Sequence, residues 1–337
     1  MTSPLLLSRP EIDDERWNTF ITNAAQSVVY GYSWYLDVVC EDWKALIWPS
    51  PDDYQIVIPL PLKRKWGMAV VEQPLFCQYL GFFSVTEITP AQRDVFLGKL
   101  SYSFAYISTY SFNPGNTPML DPGMLESFQF IGRKNQTHWL SLAQPMPQIQ
   151  ANYSSDRKLN LKRAEKSDWL VEERSDITPL IQLFKRHHAG QMQGGVRPKT
   201  YRMLAVLFEV LSEKHAATIY YASGNNEVHA GALFVQAGKT GIYLFNAADQ
   251  TGRNGNARTF LLNKYFEAQA GKLENFDFET PEKLSVSSFY KSFGAAGIPY
   301  FSIRKNELYF PFKQIQNWRL RKILNTTAAP SADSSLI

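Results

Sequence analysis

Apolar residues along this chain recur with two different periods, and the switches between them lay out its elements. Spacing of three and four predicts helices at Glu15 to Ala25 and Tyr32 to Cys40, whereas Trp43 to Trp48, Tyr54 to Leu62 and Met68 to Val71 read as strands. Pro90 to Leu100 opens as a helix, with Thr89 as N-cap and Pro90 at the first helical position, where a missing N–H costs little. Strands are expected at Ala105 to Phe112, Phe128 to Ile131 and Thr137 to Leu142, with Gly132-Arg-Lys-Asn135 as the turn between the last two.

Gln144-Pro-Met-Pro147 then reads as a boundary, because two prolines interrupt both a helix and a strand ladder. Beyond it the pattern predicts a helix at Ser154 to Lys166, a strand at Trp169 to Glu173, and helices at Ile177 to His188 and Thr200 to His215. Strands at 217–222, 228–236 and 240–246 follow, joined by Gly224-Asn-Asn226 and Gly238-Lys239 as hairpin turns. A helix at 257–270, a strand at Asn275 to Phe278, a helix at Ser285 to Phe293 and strands at 299–304 and 307–310 complete the series. Two halves of about 150 residues in one style suggest a duplicated fold, without a residue-level repeat. The expected domains are 1–147 and 148–324, with 325–337, rich in Ala, Ser and Thr, as a disordered tail.

Composition narrows the class. With 45% hydrophobic and 14% aromatic residues, 337 positions suffice for a large core. The Leu5-Leu6-Leu7 run is followed at once by Arg9, Pro10 and acids, so it is too short for a signal segment. No stretch reaches the ~18 apolar residues of a membrane span, and a soluble, cytoplasmic protein is expected. Cys40 and Cys77 alone make neither a zinc site nor a disulfide framework. The net charge of 35 − 31 = +4 is too mild for a polyelectrolyte binder, so any basic site is local. Trp34, Trp43, Trp48 and Trp66 read as core rather than base-stacking platforms.

The candidate chemistry centres on Gln250-Thr-Gly-Arg-Asn-Gly-Asn-Ala257, between the strand at Tyr243 and a helix. A glycine loop there leaves backbone N–H groups at the positive end of a helix dipole, where about half a unit of charge attracts phosphate. The loop is neither G-x-x-x-x-G-K-[ST] nor G-x-G-x-x-G, and the same pattern also serves as a plain turn. Lys158, Lys162 and Lys166 recur every four residues and put three cations on one helical face, either to hold phosphates or as a solvated face balanced by Asp156, Glu165 and Asp168. In Phe276-Asp-Phe-Glu279, alternation places both acids on one face. A desolvated carboxylate can take the proton that an amine loses on acylation, which makes Glu279 the candidate base and Asp277 its orienting partner; the alternative is a pair that binds or faces solvent. His187 and His188 end a helix and point apart, which favours a C-terminal cap over a metal site. His138, His215 and His229 have no ligand-like spacing, and no hydrolase signature is present.

Several of these segments resemble one superfamily. Gly252-Arg-Asn-Gly255-Asn-Ala257 is similar to the [RQ]-x-x-G-x-[GA] pyrophosphate loop of the GNAT N-acetyltransferases, with Gly252 where the family has Arg or Gln. The order of antiparallel strands, glycine loop, helix, strand and helix resembles the coenzyme-binding half of that fold. The resemblance implies a donor held by Gly252, Arg253, Asn254, Gly255, Asn256, Ala257 and Arg258, with Arg253 or Arg258 supplying the charge. It also implies a backbone N–H near Phe245, Asn246 or Ala247 for the acyl oxygen. Ser288-Phe-Tyr290-Lys291-Ser-Phe293-Gly294 resembles the L-Y-x-x-x-G-F segment, whose tyrosine protonates the departing thiolate, a role that would fall to Tyr290. The same residues are similar to the F-K-x-x-F-G stretch of the FemAB family, which transfers amino acids from aminoacyl-tRNA to peptidoglycan precursors and would give Lys291 a place at the acyl-transfer site. Read without the resemblance, Phe289 and Phe293 face a core while Tyr290 and Lys291 are solvated. The helix Asn152 to Lys166 is similar to the K-x-R-x-N-I-K-K-A helix that opens the second FemAB-like domain.

The expectation is therefore an α/β fold, α+β layered, of two tandem acetyltransferase-like domains with mixed, mostly antiparallel sheets flanked by helices. Its implied function is N-acyl transfer, with acyl-CoA or aminoacyl-tRNA as co-substrate rather than a permanently bound cofactor. The implied partners are an amine acceptor such as a peptidoglycan precursor, and tRNA. The alternative is a non-catalytic module, on a degenerate form of the fold, that holds a nucleotide-linked sugar or a protein. The coiled-coil arm of longer FemAB members has no counterpart.

Overall fold

Capping residues set many of the element boundaries. In the computed structural model, which describes residues 2–65, 67–191, 195–279, 284–316 and 318, Thr89 accepts from the Gln92 N–H and Gln92 returns the bond, as a capping box requires. Ser154 likewise accepts from Arg157 N–H and starts the next long helix. The first half of the chain forms β1 (Leu5–Ser8), α1 (Asp14–Asn23), α2 (Ser33–Val39), β2 (Asp42–Ser50), β3 (Asp53–Lys65), β4 (Met68–Glu72), β5 (Phe83–Ser84), α3 (Pro90–Ser103), β6 (Tyr106–Ser111), α4 (Pro122–Ser127) and β7 (Ile131–Ser141). The second forms α5 (Met146–Ala151), α6 (Ser155–Glu165), β8 (Leu170–Glu173), α7 (Thr178–His187), α8 (Pro198–Glu213), β9 (Ala217–Gly224), β10 (Glu227–Ala237), β11 (Thr240–Ala248), α9 (Gln250–Asn254), α10 (Ala257–Gln269), β12 (Asn275–Asp277), α11 (Leu284–Lys291) and β13 (Ala296–Asn306).

These elements make two compact units, residues 1–26, 40–135 and 300–337 in one and residues 27–39 and 136–299 in the other. In the first unit the strand order is β1-β2-β3-β4-β6-β13, antiparallel except for β4 with β6. In the second it is β8-β9-β10-β11-β12-β7, antiparallel except for β11 with β12. Each parallel pair is joined by a helical crossover, as parallel neighbours require. The duplication is thus visible as topology. The final strand of each sheet, however, comes from the other half of the sequence: β7 precedes the second unit's other strands, and β13 follows them.

Several local expectations are corrected. The chain does not divide at Gln144-Pro-Met-Pro147, because Pro145 caps α5 and Pro147 sits in its first turn, inside the second unit. No turn forms at Gly132 to Asn135; they continue β7, and their polarity reflects the exposed end of a strand. Phe128, expected to start a strand, instead ends α4, which Asp121 caps by accepting from Met124 N–H. Residues 307–310 are not a strand, and β13 is continuous over both flanking segments up to Asn306. Trp66 and the tail 325–337 lie outside the described residues.

The second unit's core is aromatic. Phe234 stacks on Tyr265 at 4.0 Å, Phe276 meets Phe266 edge-on at 5.0 Å, and Phe278 stacks on Tyr290 at 4.4 Å. Phe276 and Phe278 therefore face α10 and α11, which leaves Asp277 to the opposite face of its sheet.

Candidate functional site

Parallel pairing between β11 and β12 covers only Thr240 with Asn275, Gly241 with Phe276 and Ile242 with Asp277. Beyond Ile242 and Asp277 this pairing ends, because β12 itself ends there. On its other edge β11 carries a bulge, where the pairing passes from Leu233–Phe245 to Phe234–Tyr243 and skips Leu244. From Tyr243 to Ala247 this edge of β11 has no strand partner among the described residues, and Phe245, Asn246 and Ala247, the candidate acyl-oxygen contacts, lie on this stretch.

The loop after β11 is not an open glycine loop. Residues 250–254 form α9, whose N-cap Asp249 accepts from Gly252 N–H at 2.7 Å. Arg253 and Gly255 N–H groups donate to the Asp249 and Thr251 carbonyls. Both glycines serve packing: a Cβ on Gly252 would stand 2.3 Å from the His229 carbonyl oxygen, and one on Gly255 would stand 2.3 Å from the Trp169 ring. Trp169 Nε1 also donates to the Gly255 carbonyl at 2.8 Å. His229 Nδ1 lies 2.8 Å from Asp249 Oδ2, which ties the loop to β10.

The groups left for an anion stand one turn later. Asn256, in the left-handed region at φ 54°, is the N-cap of α10 but gives it no side-chain bond. The N–H groups of Ala257, Arg258 and Thr259 have no acceptor among the described residues. Arg253 is spent on its own loop: its Nη1 donates to the Ala248 carbonyl and its Nη2 to Gln250. Arg258 lies over the Phe289 ring at 5.7 Å and, among the described residues, has no carboxylate partner.

The lysine row does not face this turn. Lys158, Lys162 and Lys166 are exposed, and Lys158 Nζ donates to the Ala151 carbonyl. Arg157, passed over in the sequence because only the lysines were periodic, turns inward instead. It donates to Thr259 Oγ1 in the first turn of α10 and to Ser292 Oγ at 2.9 Å, and lies 4.2 Å over Phe289 and 4.5 Å over Phe293. Burial lowers its pKa to about 10, so it remains a cation at neutral pH.

On the other face, Asp277 is fully buried and accepts from Thr137 Oγ1 at 2.5 Å and from Glu279 N–H at 2.9 Å. Glu279 has left-handed backbone, φ 47°, a strained state for a side chain of this kind. Its carboxyl accepts from the hydroxyl of Tyr30, a residue no local signal marks, carried in by residues 27–39. Some of Glu279 remains at the surface, yet its carboxyl is desolvated, and this pushes its pKa up to about 8 against the lowering effect of Tyr30. Trp139 Nε1, on the strand residue paired with Asp277, is buried without a partner.

Tyr290 is buried, and burial holds its phenol protonated well above the usual range. Its neighbour Tyr243, the first residue past the β11–β12 pairing, has a buried hydroxyl with no partner. Lys291 is exposed and lies near His138, whose pKa is lowered by burial first and by Lys291 second. His138 Nε2 is 3.0 Å from Ser287 Oγ. His188, the C-cap of α7, places its ring Nε2 3.0 Å from the Ala248 carbonyl oxygen, and burial lowers its pKa. Among the described residues no group of side chains suits a metal ion, and no helix is long and apolar enough to cross a membrane.

Comparison with known proteins agrees with this fold. Residues 153–291 match the family model of the acetyltransferase (GNAT) domain. Among solved structures, FemX is similar over 93% of this chain and 98% of its own, with TM-score 0.63 and 11% identity. L-PGS from Bacillus licheniformis covers 91% of this chain and 96% of its own, with TM-score 0.53 and 12% identity. A tandem GNAT protein from the clavulanic acid biosynthesis pathway covers 89% and 97%, with TM-score 0.50 and 11% identity. At these identities the likeness concerns the fold. No curated protein matches the sequence. The domain match supports acyl transfer as the class of reaction.

Proposed function

We propose, for a chain that carries the GNAT acetyltransferase fold in tandem, that its second unit transfers an acyl or aminoacyl group from a phosphate-bearing donor to an amine. The observation that carries this reading is the pair Arg157 and Arg258 beside the uncapped first turn of α10. Two guanidiniums without a carboxylate partner and three N–H groups without an acceptor, among the described residues, suit a pyrophosphate or a nucleic-acid phosphate, so acyl-CoA and aminoacyl-tRNA are both candidate donors. The exposed row of Lys158, Lys162 and Lys166 would serve the longer of the two.

From that anchor the acyl group enters the gap between β11 and β12, where a backbone N–H of Phe245, Asn246 or Ala247 meets its oxygen. The amine attacks the carbonyl carbon and gives its proton to the Glu279 carboxylate, which Tyr30 orients and Asp277 supports. The bond to the leaving sulfur or oxygen breaks, and Tyr290 supplies the proton. Lys291, at the rim of α11, is placed to meet an anionic part of the acceptor. The FemAB resemblance makes an amine of a peptidoglycan precursor the first acceptor to try.

Titration calorimetry with acetyl-CoA, a longer acyl-CoA and an aminoacyl-tRNA tests the reading. Binding of one of them, weakened at least about tenfold by Arg258→Ala, is expected. No binding to any of the three would sink it.

A second reading is a non-catalytic module for a nucleotide-linked sugar or a protein. The packing of Gly252 against the His229 carbonyl and of Gly255 under Trp169 favours it, since the loop is closed by its own neighbours. Donor binding without turnover of any amine would select it.

A further inference from the structure

Ser287 has no part in direct transfer to an amine, yet its hydroxyl is set against a base. The residue is half-buried on α11, and its Oγ lies 3.0 Å from Nε2 of His138 on β7. The sheet beneath fixes this approach. Trp139 pairs with Asp277, and one step on the Phe278 N–H donates to the His138 carbonyl at 3.0 Å, so His138 and Phe278 stand side by side. Each meets α11: His138 meets Ser287, and Phe278 stacks on Tyr290, three residues further along the helix, at 4.4 Å. Ser287 is thus one helical turn from the proposed proton donor.

The surroundings favour proton transfer from hydroxyl to ring. His138 is 1% exposed, and burial first and the Lys291 ammonium second lower its pKa, which keeps the ring neutral at neutral pH. With the ring proton on Nδ1, Nε2 accepts from the hydroxyl. Lys291 is exposed, four residues after Ser287 on the same face of α11, and its charge also favours an alkoxide over a hydroxyl. Hydroxyl, neutral imidazole and ammonium are the parts of an activated nucleophile. A serine that merely satisfies a buried ring nitrogen asks for no cation beside it.

We propose that Ser287 is a nucleophile that accepts an acyl group itself, with His138 as its base. Ser287 Oγ adds to the carbonyl carbon of an activated ester or thioester while its proton passes to His138 Nε2. The bond to the leaving oxygen or sulfur then breaks, and that atom takes the proton from His138. The products are an O-acyl serine, a free alcohol or thiol, and a neutral imidazole. The acyl-transfer reading supplies the natural source of the acyl group, and the inference rests on it for that source alone. The test uses p-nitrophenyl acetate, an activated ester that needs no donor site, with the full chain and mass spectrometry of its peptides. An acetyl group on Ser287 is expected. Ser287→Ala loses it with circular dichroism unchanged, Ser287→Cys carries it as a thioester at the same position, and His138→Gln releases nitrophenol at least about tenfold more slowly. Nitrophenol release that Ser287→Ala leaves unchanged, or acetyl groups confined to lysine side chains, overturns the proposal and leaves the serine as a cap on a buried ring nitrogen. The two readings fail separately: absence of acetyl-CoA binding leaves the nitrophenyl ester result standing, and an unmodified Ser287 leaves acetyl-CoA binding standing.

Discussion

Tyr30 and Glu279, separated by 249 positions in the sequence, are joined by a hydrogen bond from phenol to carboxyl in the second unit. The bond favours the charged carboxylate, while burial favours the neutral acid, and burial prevails. The candidate base is therefore tuned by two opposing causes that mutation can separate.

Glu279→Gln tests the base itself. With a pKa of about 8, the carboxylate form grows as pH rises through that value, so acyl transfer by the parent protein should climb through pH 8 and level above it. The variant should lose this limb and about 10²- to 10⁴-fold in rate, read from pH–rate profiles. Stability moves the other way. The folded state holds this proton more tightly than the unfolded chain, so the contribution is complete below 4.5 and is lost as pH rises through about 8. Denaturant titrations should find the variant gaining on the parent between pH 5 and pH 9.

Tyr30→Phe removes the favourable bond from the phenol to the carboxylate. The activity limb should shift to higher pH, and stability should fall by about 1–3 kcal/mol. An unmoved midpoint would separate Tyr30 from the chemistry.

Tyr243→Phe addresses a hydroxyl that is buried beside Tyr290 without a partner. Since an unsatisfied buried hydroxyl costs about 1–3 kcal/mol, its removal should leave stability equal or higher. A drop in acyl transfer alongside an undiminished melting temperature would show that the hydroxyl serves the bound donor.

Gly255→Ala places a methyl group 2.3 Å from the Trp169 ring. Destabilisation of about 1–3 kcal/mol is expected, with part of it recovered by Trp169→Ala in a double-mutant cycle. Additive losses would mean that ring and glycine do not press on each other.

What the sequence reveals here is what short-range chemistry decides. Thr89 with Pro90 and the Gly238-Lys239 hairpin each carry their geometry within a few residues, and both appear as read. The succession of strand, loop and helix around residues 240–269 was legible for the same reason, because the three follow one another in sequence. Arg157 was hidden among exposed cations, since periodicity alone does not say which side of a helix is covered. Tyr30 was invisible because its partner lies on a distant strand end. The mistaken turn at Gly132 to Asn135 has the same origin: a polar strand end looks like a loop unless the neighbouring strand is known.

The reciprocal trade of β7 and β13 has a consequence for biosynthesis. The sheet begun by β1 has its last place beside β6 filled only by residues near 302–306. The amino-terminal half therefore leaves the ribosome with an open strand edge that nothing yet synthesised is assigned to cover. Unlike a string of independent domains, which mature one after another as they emerge, this protein must keep its early half from aggregating until β13 has been synthesised.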